Sequence, residues 1–244
     1  MEQPCQVHIG TSGWHYAHWR GPFYPEKLPA SKMLEFYTQR FDTVELNNTF
    51  YRLPAPGGVE NWRDSTPKGF VFSAKGSRFL THMKKLKDSG PGVDKFFERV
   101  TPLGKKLGPI VFQLPPFWEV NAGRLEEFLR GLPRRRRYAF ELRNPTWHIE
   151  PVYRILRRYN AAYCIFEIAG FRSGHEITAD FTYIRLHGPG AAYQGAYSDT
   201  ILREWAARIR KWRKELRAIY VYFDNDQAAY AVENALALKR MVSE

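Results

Sequence analysis

Cysteine is scarce. Only Cys5 and Cys164 are present, far apart and in no CxxC pair. That excludes a disulfide framework and a thiolate zinc ribbon, and it points to a reducing compartment. Long apolar runs are missing as well. No stretch approaches the ~18 residues that a membrane span needs. The opening MEQPCQVHIG has neither the charged start nor the apolar run of a secretory leader. The expectation is therefore a soluble cytoplasmic protein, away from membranes. Internal repeats and low-complexity linkers are also lacking, and no feature indicates a protein partner.

Acidic residues fall short of basic ones. There are 25 Asp and Glu against 37 Lys and Arg, which leaves a formal net charge of +12. A surplus of this size favours an anionic partner, either a small molecule such as a phosphorylated metabolite or a nucleic acid. A basic exterior that only keeps the chain dispersed accounts for it almost as well. Metal signatures of the HxH and HExxH type are lacking at strand ends.

What is present is a rhythm of eight short apolar segments, each polar at its C-terminal end. They read VHIGTS (7–12), TVELNN (43–48), FVFSAK (70–75), PIVFQL (109–114), YAFELR (138–143), AYCIFE (162–167), TYIRLH (182–187) and AIYVYFDN (218–225). Helical or loop segments separate them. Strands covered on both faces and polar only at one end are what a parallel barrel requires. The 244 residues suit a single α/β domain spanning 1–244, a TIM-type (β/α)8 barrel of about 250 residues. The piece after the sixth strand, Ala169 to Ala179, is too short and irregular for a helix, so the barrel is expected to be irregular there. Helices are expected over about 32–40, 93–106, 122–132, 147–159, 199–216 and 228–242, with Ser31 and Ser198 as caps.

Residues two apart on a strand share a face. Glu45 and Asn47 therefore point together. So do Ser73 and Lys75, Glu141 and Arg143, Arg185 and His187, and Tyr222 and Asp224. If the polar members face inward they meet at the C-terminal mouth, joined by Gln113. Charges inside a barrel are costly unless paired, so the set predicts a compensated network fit for acid–base work or for holding an anion. Glu141, Glu45 and His187 are the candidate catalytic groups. Arg143, Arg185 and Lys75 are the candidate anion contacts, with Asn47, Gln113, Asp224 and Asn225 beside them. Trp14, in an aromatic loop after the first strand, is expected on a pocket wall. Tyr193 and Tyr197 are candidates for stacking on a ring. No cofactor is called for. A divalent metal ion on Glu45, Glu141, His187 and Asp224 is the alternative, opposed by three cationic side chains in the same space. A second alternative places a nucleic acid on the basic face of the helix after Ser198, which carries Arg203, Arg208, Arg210, Lys211, Arg213 and Lys214. The run Arg134 to Arg137 is read as solvated.

Several segments together resemble the YecE-like family, domain of unknown function seventy-two. They are GTSGW (10–14), WRGPFYP (19–25), VELNNTFYRLP (44–54), FSAKG (72–76), FQLPP (112–116), ELRNPTW (141–147), YIRLHG (183–188), AYQGAYS (192–198) and YVYFDNDQ (220–227). The resemblance runs through nearly the whole chain in order. It implies a TIM-like barrel and brings no established activity. A hydrolase or isomerase acting on a phosphate-bearing ligand is the resulting expectation, by analogy with similar barrels. The chain departs from the family pattern at Asn144-Pro145-Thr146, where His-x-Ser is common, and at Asp224, where Asn is common. Asp224 therefore ranks below Glu141 as an acid.

Overall fold

The computed structural model describes residues 4–244. Residues 1–3, part of the stretch read for a leader, lie outside them. Eight parallel strands form the barrel: β1 (Gln6–Thr11), β2 (Thr43–Leu46), β3 (Val71–Lys75), β4 (Leu107–Leu114), β5 (Tyr138–Leu142), β6 (Ala162–Ile168), β8 (Phe181–Leu186) and β9 (Ala218–Phe223). They run in the order β1-β9-β8-β6-β5-β4-β3-β2. The seam between β1 and β2 is held by a single bridge, Ser12 to Glu45, with the Gly13 N–H donating to the Glu45 carbonyl at 2.8 Å. Gly10 makes that approach feasible, because a Cβ there would sit 2.5 Å from the Thr43 carbonyl oxygen.

The helices are α1 (Met33–Tyr37), α2 (Asn48–Tyr51), α3 (Gly58–Asp64), α4 (Gly90–Val100), α5 (Ala122–Gly131), α6 (Glu150–Arg158), α7 (Asp199–Trp212) and α8 (Tyr230–Ser243). The expected irregularity after β6 is real. A two-residue strand, β7 (Phe171–Arg172), folds back antiparallel onto β6 where a sixth helix would stand. Ser198 caps α7 by accepting from the Ile201 N–H. Ser31 caps nothing: a 3-10 turn over Ala30–Lys32 precedes α1. The helix expected over 93–106 stops at Val100, and Gly104 breaks the following turn with φ of 60°. Among the described residues no helix is long and apolar enough to cross a membrane.

The barrel interior is layered. Its lower part holds Val111, Ala139, Ala162, Cys164, Phe181, Ala218 and Tyr220. Arg137, expected in solvent, instead seals this end: its Nη1 donates to the Tyr220 hydroxyl at 2.7 Å and the guanidinium lies over Phe181. Above comes a hydroxyl layer, with Thr43 bonded to Tyr222 and Ser73 to Tyr183, both at 2.7 Å. Register aligns these rows, since Tyr183 pairs with Tyr220, Arg185 with Tyr222 and Gln113 with Glu141. The same alternation that fills the lower layers with apolar groups thus delivers the next inward residue of each strand to the mouth.

Candidate active site

Arg185 is the centre of the mouth. It stands on β8 two residues past Tyr183 and is fully buried. All of its guanidinium N–H groups are engaged. Nε donates to Glu45 Oε2 at 3.0 Å and Nη2 to Glu45 Oε1 at 2.7 Å. Nη1 donates to Glu141 Oε2 at 2.6 Å and approaches His187 Nε2 at 3.3 Å. Nη2 also donates to Asp224 Oδ2 at 3.1 Å. One cation therefore holds carboxylates from β2, from β5 and from the end of β9. The planar fork of arginine suits this, because it offers several donors in fixed directions.

The carboxylates are satisfied from their other sides too. Ser12 Oγ donates to Glu45 Oε1 at 2.5 Å, and the Tyr183 hydroxyl donates to Oε2 at 2.6 Å. Arg143 Nε donates to Glu141 Oε1 at 2.5 Å. The His187 Nδ1–H bonds Asp224 Oδ2 at 2.9 Å. Burial pushes the Glu141 carboxyl up, but Arg143 first and then Arg185 outweigh it, and its pKa lies well below the usual range. Asp224 follows the same logic: burial is outweighed by the hydrogen bond from His187 and the charge of Arg185, and its pKa is lowered.

This arrangement changes the roles expected from the residue types. Glu45 and Glu141 converge as anticipated, yet both are tied up by hydrogen bonds from the cations and hydroxyls around them. A carboxylate held this firmly is a poor proton shuttle. Arg185 has no donor left for an incoming anion. The mouth is also electrically balanced, with Lys75, Arg143 and Arg185 facing Glu45, Glu141 and Asp224; positive charge does not prevail there.

The other side of the mouth is different. Lys75, at the end of β3, is 4 % exposed. Its Nζ makes no hydrogen bond or ion pair among the described residues and lies over the Phe50 ring, 4.4 Å from the centroid. Burial first and the charge of Arg185 second bring its pKa down to about 8, against the opposing pull of the carboxylates. Arg143 keeps Nη2 buried without a partner. Its pKa is raised, because Glu141 and the nearby Tyr193 hydroxyl outweigh burial. Asn47 Oδ1 is likewise buried and unpartnered. The Gln113 amide, 5 % exposed, makes no hydrogen bond among the described residues. These four residues come from β2 to β5, which are neighbours in the sheet.

Asn47, alone of the four, also lines a cleft of about 780 Å³ between the loops after β1 and β2. Trp14 and Trp62 pack edge to face on its wall, 5.3 Å between centroids, and Tyr16, Tyr51, Asn47 and Asn61 complete it. The volume is in the range that takes a small molecule. The aromatic loop after β1 serves two ends: Trp14 and Tyr16 face the cleft, whereas Trp19 and Tyr24 are core. Tyr193 is 40 % exposed and stands edge-on to His187, with 5.5 Å between centroids.

Two expected contacts lie off the mouth. Tyr197 is buried against Phe223, and its hydroxyl accepts from the Gly188 N–H at 3.1 Å. Asn225 uses Nδ2 to hold the Gly195 carbonyl at 2.8 Å and Asn234 at 3.0 Å. Both shape the loop after β8. Ser12, Tyr183 and Phe50 were missed. For the first two the signal was available, since Ser12 follows Gly10 and Tyr183 precedes Arg185 by the two-residue step that keeps a face.

The residues considered for a divalent cation do not fit one. Among the described residues no group of three or more His, Cys, Asp or Glu is arranged to hold a metal. Glu45, Glu141 and Asp224 all direct oxygens at the same guanidinium, where a cation would meet its charge. Asp226, two residues past Asp224, has its carboxylate 3.8 Å from His18.

A family model described as "Protein of unknown function DUF72" matches residues 8–244. The chain belongs to the DUF72 family. The UPF0759 protein YecE of Escherichia coli is 32 % identical over 142 residues, which is 58 % of this chain and 50 % of that protein. The chain thus spans about half the length of that curated relative. The UPF0759 protein YunF of Bacillus subtilis is 22 % identical across 93 % of this chain and 92 % of its own. Among solved structures, a DUF72 protein from Thermotoga maritima superposes with a TM-score of 0.90 at 28 % identity, covering 98 % of this chain and all of that one. A DUF72 protein from Enterococcus faecalis gives a TM-score of 0.85 at 17 % identity, covering 98 % and 96 %. These likenesses agree with the barrel and the family, and they leave the ligand and the reaction open.

Proposed function

We propose that this DUF72 barrel is an enzyme that binds a small anionic molecule, bearing phosphate or carboxylate, at its C-terminal mouth. The observation that carries the reading is on the strands either side of β4: Arg143, ion-paired to Glu141 through Nε, keeps a buried Nη2 without a partner, and the Lys75 Nζ makes no hydrogen bond or ion pair among the described residues. A buried donor without an acceptor is costly, and a cation more so. A bound anion would supply what both lack. Gln113 stands between them on β4, and Asn47 leads to the aromatic cleft, which would take the rest of the ligand.

In this reading Lys75 and Arg143 hold the anion. Arg185 and its three carboxylates form the floor that fixes their positions. Proton movement falls to Lys75 and His187, because the Glu45 and Glu141 oxygens are already taken by their hydrogen-bond partners. An amine that titrates near neutrality suits proton abstraction beside a carbonyl. That favours isomerisation over hydrolysis.

The test is titration of inorganic phosphate by calorimetry. Lys75→Met and Arg143→Met should each weaken binding at least ~10-fold, the cost of one charge-assisted contact. Affinity should fall as pH rises through about 8, where Lys75 loses its proton. Unchanged affinity in both variants would overturn the assignment.

The exterior supports a second reading. The charges at the mouth cancel, so the net +12 of the chain lies elsewhere, in part on the exposed face of α7. A nucleic acid bound there would dissociate steeply with added salt, and Arg208→Glu with Lys214→Glu would weaken it while leaving phosphate binding at the mouth intact.

A further inference from the structure

We propose that Lys75 is a nucleophile that forms an imine with the carbonyl group of a small keto or aldehyde compound bearing phosphate or carboxylate. The proposal rests on the anion site described above and names the substrate class for it.

The geometry separates Lys75 from a structural lysine. Lys106 shows what the latter looks like here: its Nζ donates to the Thr66 carbonyl at 2.6 Å, to Thr66 Oγ1 at 3.0 Å and to the Arg63 carbonyl. Lys75 is more deeply buried and has no such partner. The carboxylates that would hold its proton are all turned to Arg185. The Phe50 face replaces water on one side of the amine. The strand end presents it at the barrel mouth, where (β/α)8 enzymes carry their reacting groups. Its pKa of about 8 leaves a useful share of neutral amine at ordinary pH.

The step balances without a further reagent. The neutral Nζ lone pair forms a C–N bond to the carbonyl carbon, and the C–O π pair moves to oxygen, which takes a proton from water. Nitrogen gives up a proton to water. The hydroxyl then takes a proton from solvent and leaves as the one water molecule released, and the nitrogen lone pair closes the C=N bond to give an iminium that carries the added charge. The resulting iminium draws electrons from the adjacent carbon, so a proton there is more easily removed, as an isomerase requires.

The experiment is reductive trapping. The full-length protein is incubated at pH 8 with dihydroxyacetone phosphate and cyanoborohydride, and the adduct is mapped by peptide mass spectrometry. One adduct is expected on Lys75, formed at least ~10-fold faster than on the exposed Lys84, Lys85 and Lys87, and absent in folded Lys75→Arg. Arg143→Met should slow labelling by dihydroxyacetone phosphate but not by neutral dihydroxyacetone. Labelling of Lys75 no faster than the surface lysines would overturn the imine. If phosphate binding is still lost in Lys75→Met while no adduct forms, the anion site stands and the imine falls. If both carbonyl probes label Lys75 equally and Arg143→Met changes neither rate, the nucleophile stands and the anion reading falls.

Discussion

The two halves of the barrel mouth carry similar residue types in opposite states. On the side of β8, β9 and β1, Arg185, His187, Asp224, Ser12 and Tyr183 join Glu45 in one network that leaves Arg185 no free donor. On the side of β2 to β5, Asn47 Oδ1 and Arg143 Nη2 are buried without a partner, and the Lys75 Nζ and the Gln113 amide make no hydrogen bond among the described residues. Buried polar groups are normally satisfied. The network bonded throughout around Arg185 therefore reads as scaffold, and the side where the mouth residues are left incomplete marks where a ligand belongs. The difference teaches that converging charge alone does not identify a site. Which atoms still lack partners does.

Arg185 gives the comparison its severest test. Arg185→Met leaves three carboxylates buried without their shared cation. Removing one member of a buried ionic group costs about 3–5 kcal/mol, and here three partners are stranded. Urea unfolding should show a loss at or above that range, or failure to fold. A variant as stable as the parent would mean the bonded half is not the scaffold.

Much of this was legible in the strands and little of it in their partnerships. The two-residue step placed Glu45, Lys75, Glu141, Arg143, Arg185, His187 and Asp224 at one end, and the structure brings all of them there. The step works because inward parity is fixed once one face of a strand meets the core. Which carboxylate meets which cation is another matter. It depends on barrel shear and on reach across the lumen, as when Glu45 of β2 meets Arg185 of β8, and no local pattern encodes it. Tyr197 and Asn225 turn away from the mouth for a related reason. They sit in a loop whose backbone must itself be bonded, and their polar atoms go to Gly188 and Gly195. Arg137 looked solvated within a run of four arginines, yet Tyr220 and Phe181 draw it under the barrel.

Lys75 probes the open half, and the sign of the effect is the point. Its pKa is about 8 when folded, against 10.5 for a free lysine. The unfolded chain holds the proton more tightly, so the charged amine opposes folding at pH 7 and ceases to do so as pH rises from about 8 to beyond 10.5. Lys75→Met should therefore stabilise the protein at pH 7, by an amount on the order of 3 kcal/mol. The gain should shrink as pH climbs through that window, while phosphate binding is lost throughout. Stability gained where function is lost is the signature of a site residue. Destabilisation by Lys75→Met at pH 7 would place Lys75 in the scaffold instead.

The mildest contrast is between two single polar groups of similar burial. Tyr183→Phe removes a hydroxyl that donates to Glu45 Oε2 at 2.6 Å and bonds Ser73 at 2.7 Å. Ser73 keeps its bond to the Pro109 carbonyl at 2.8 Å, but the charged Glu45 loses a donor, which costs about 1–3 kcal/mol. Gln113→Met removes an amide that nothing in the protein bonds, and replaces it with an apolar chain of similar length. Loss of an unpartnered polar group is close to neutral, so the change should stay within about 0.5 kcal/mol of the parent or stabilise slightly. Denaturant midpoints for the two variants, read side by side, measure how far the halves differ. Equal losses would show that Gln113 has a structural partner after all and would narrow the open half to Asn47, Lys75 and Arg143.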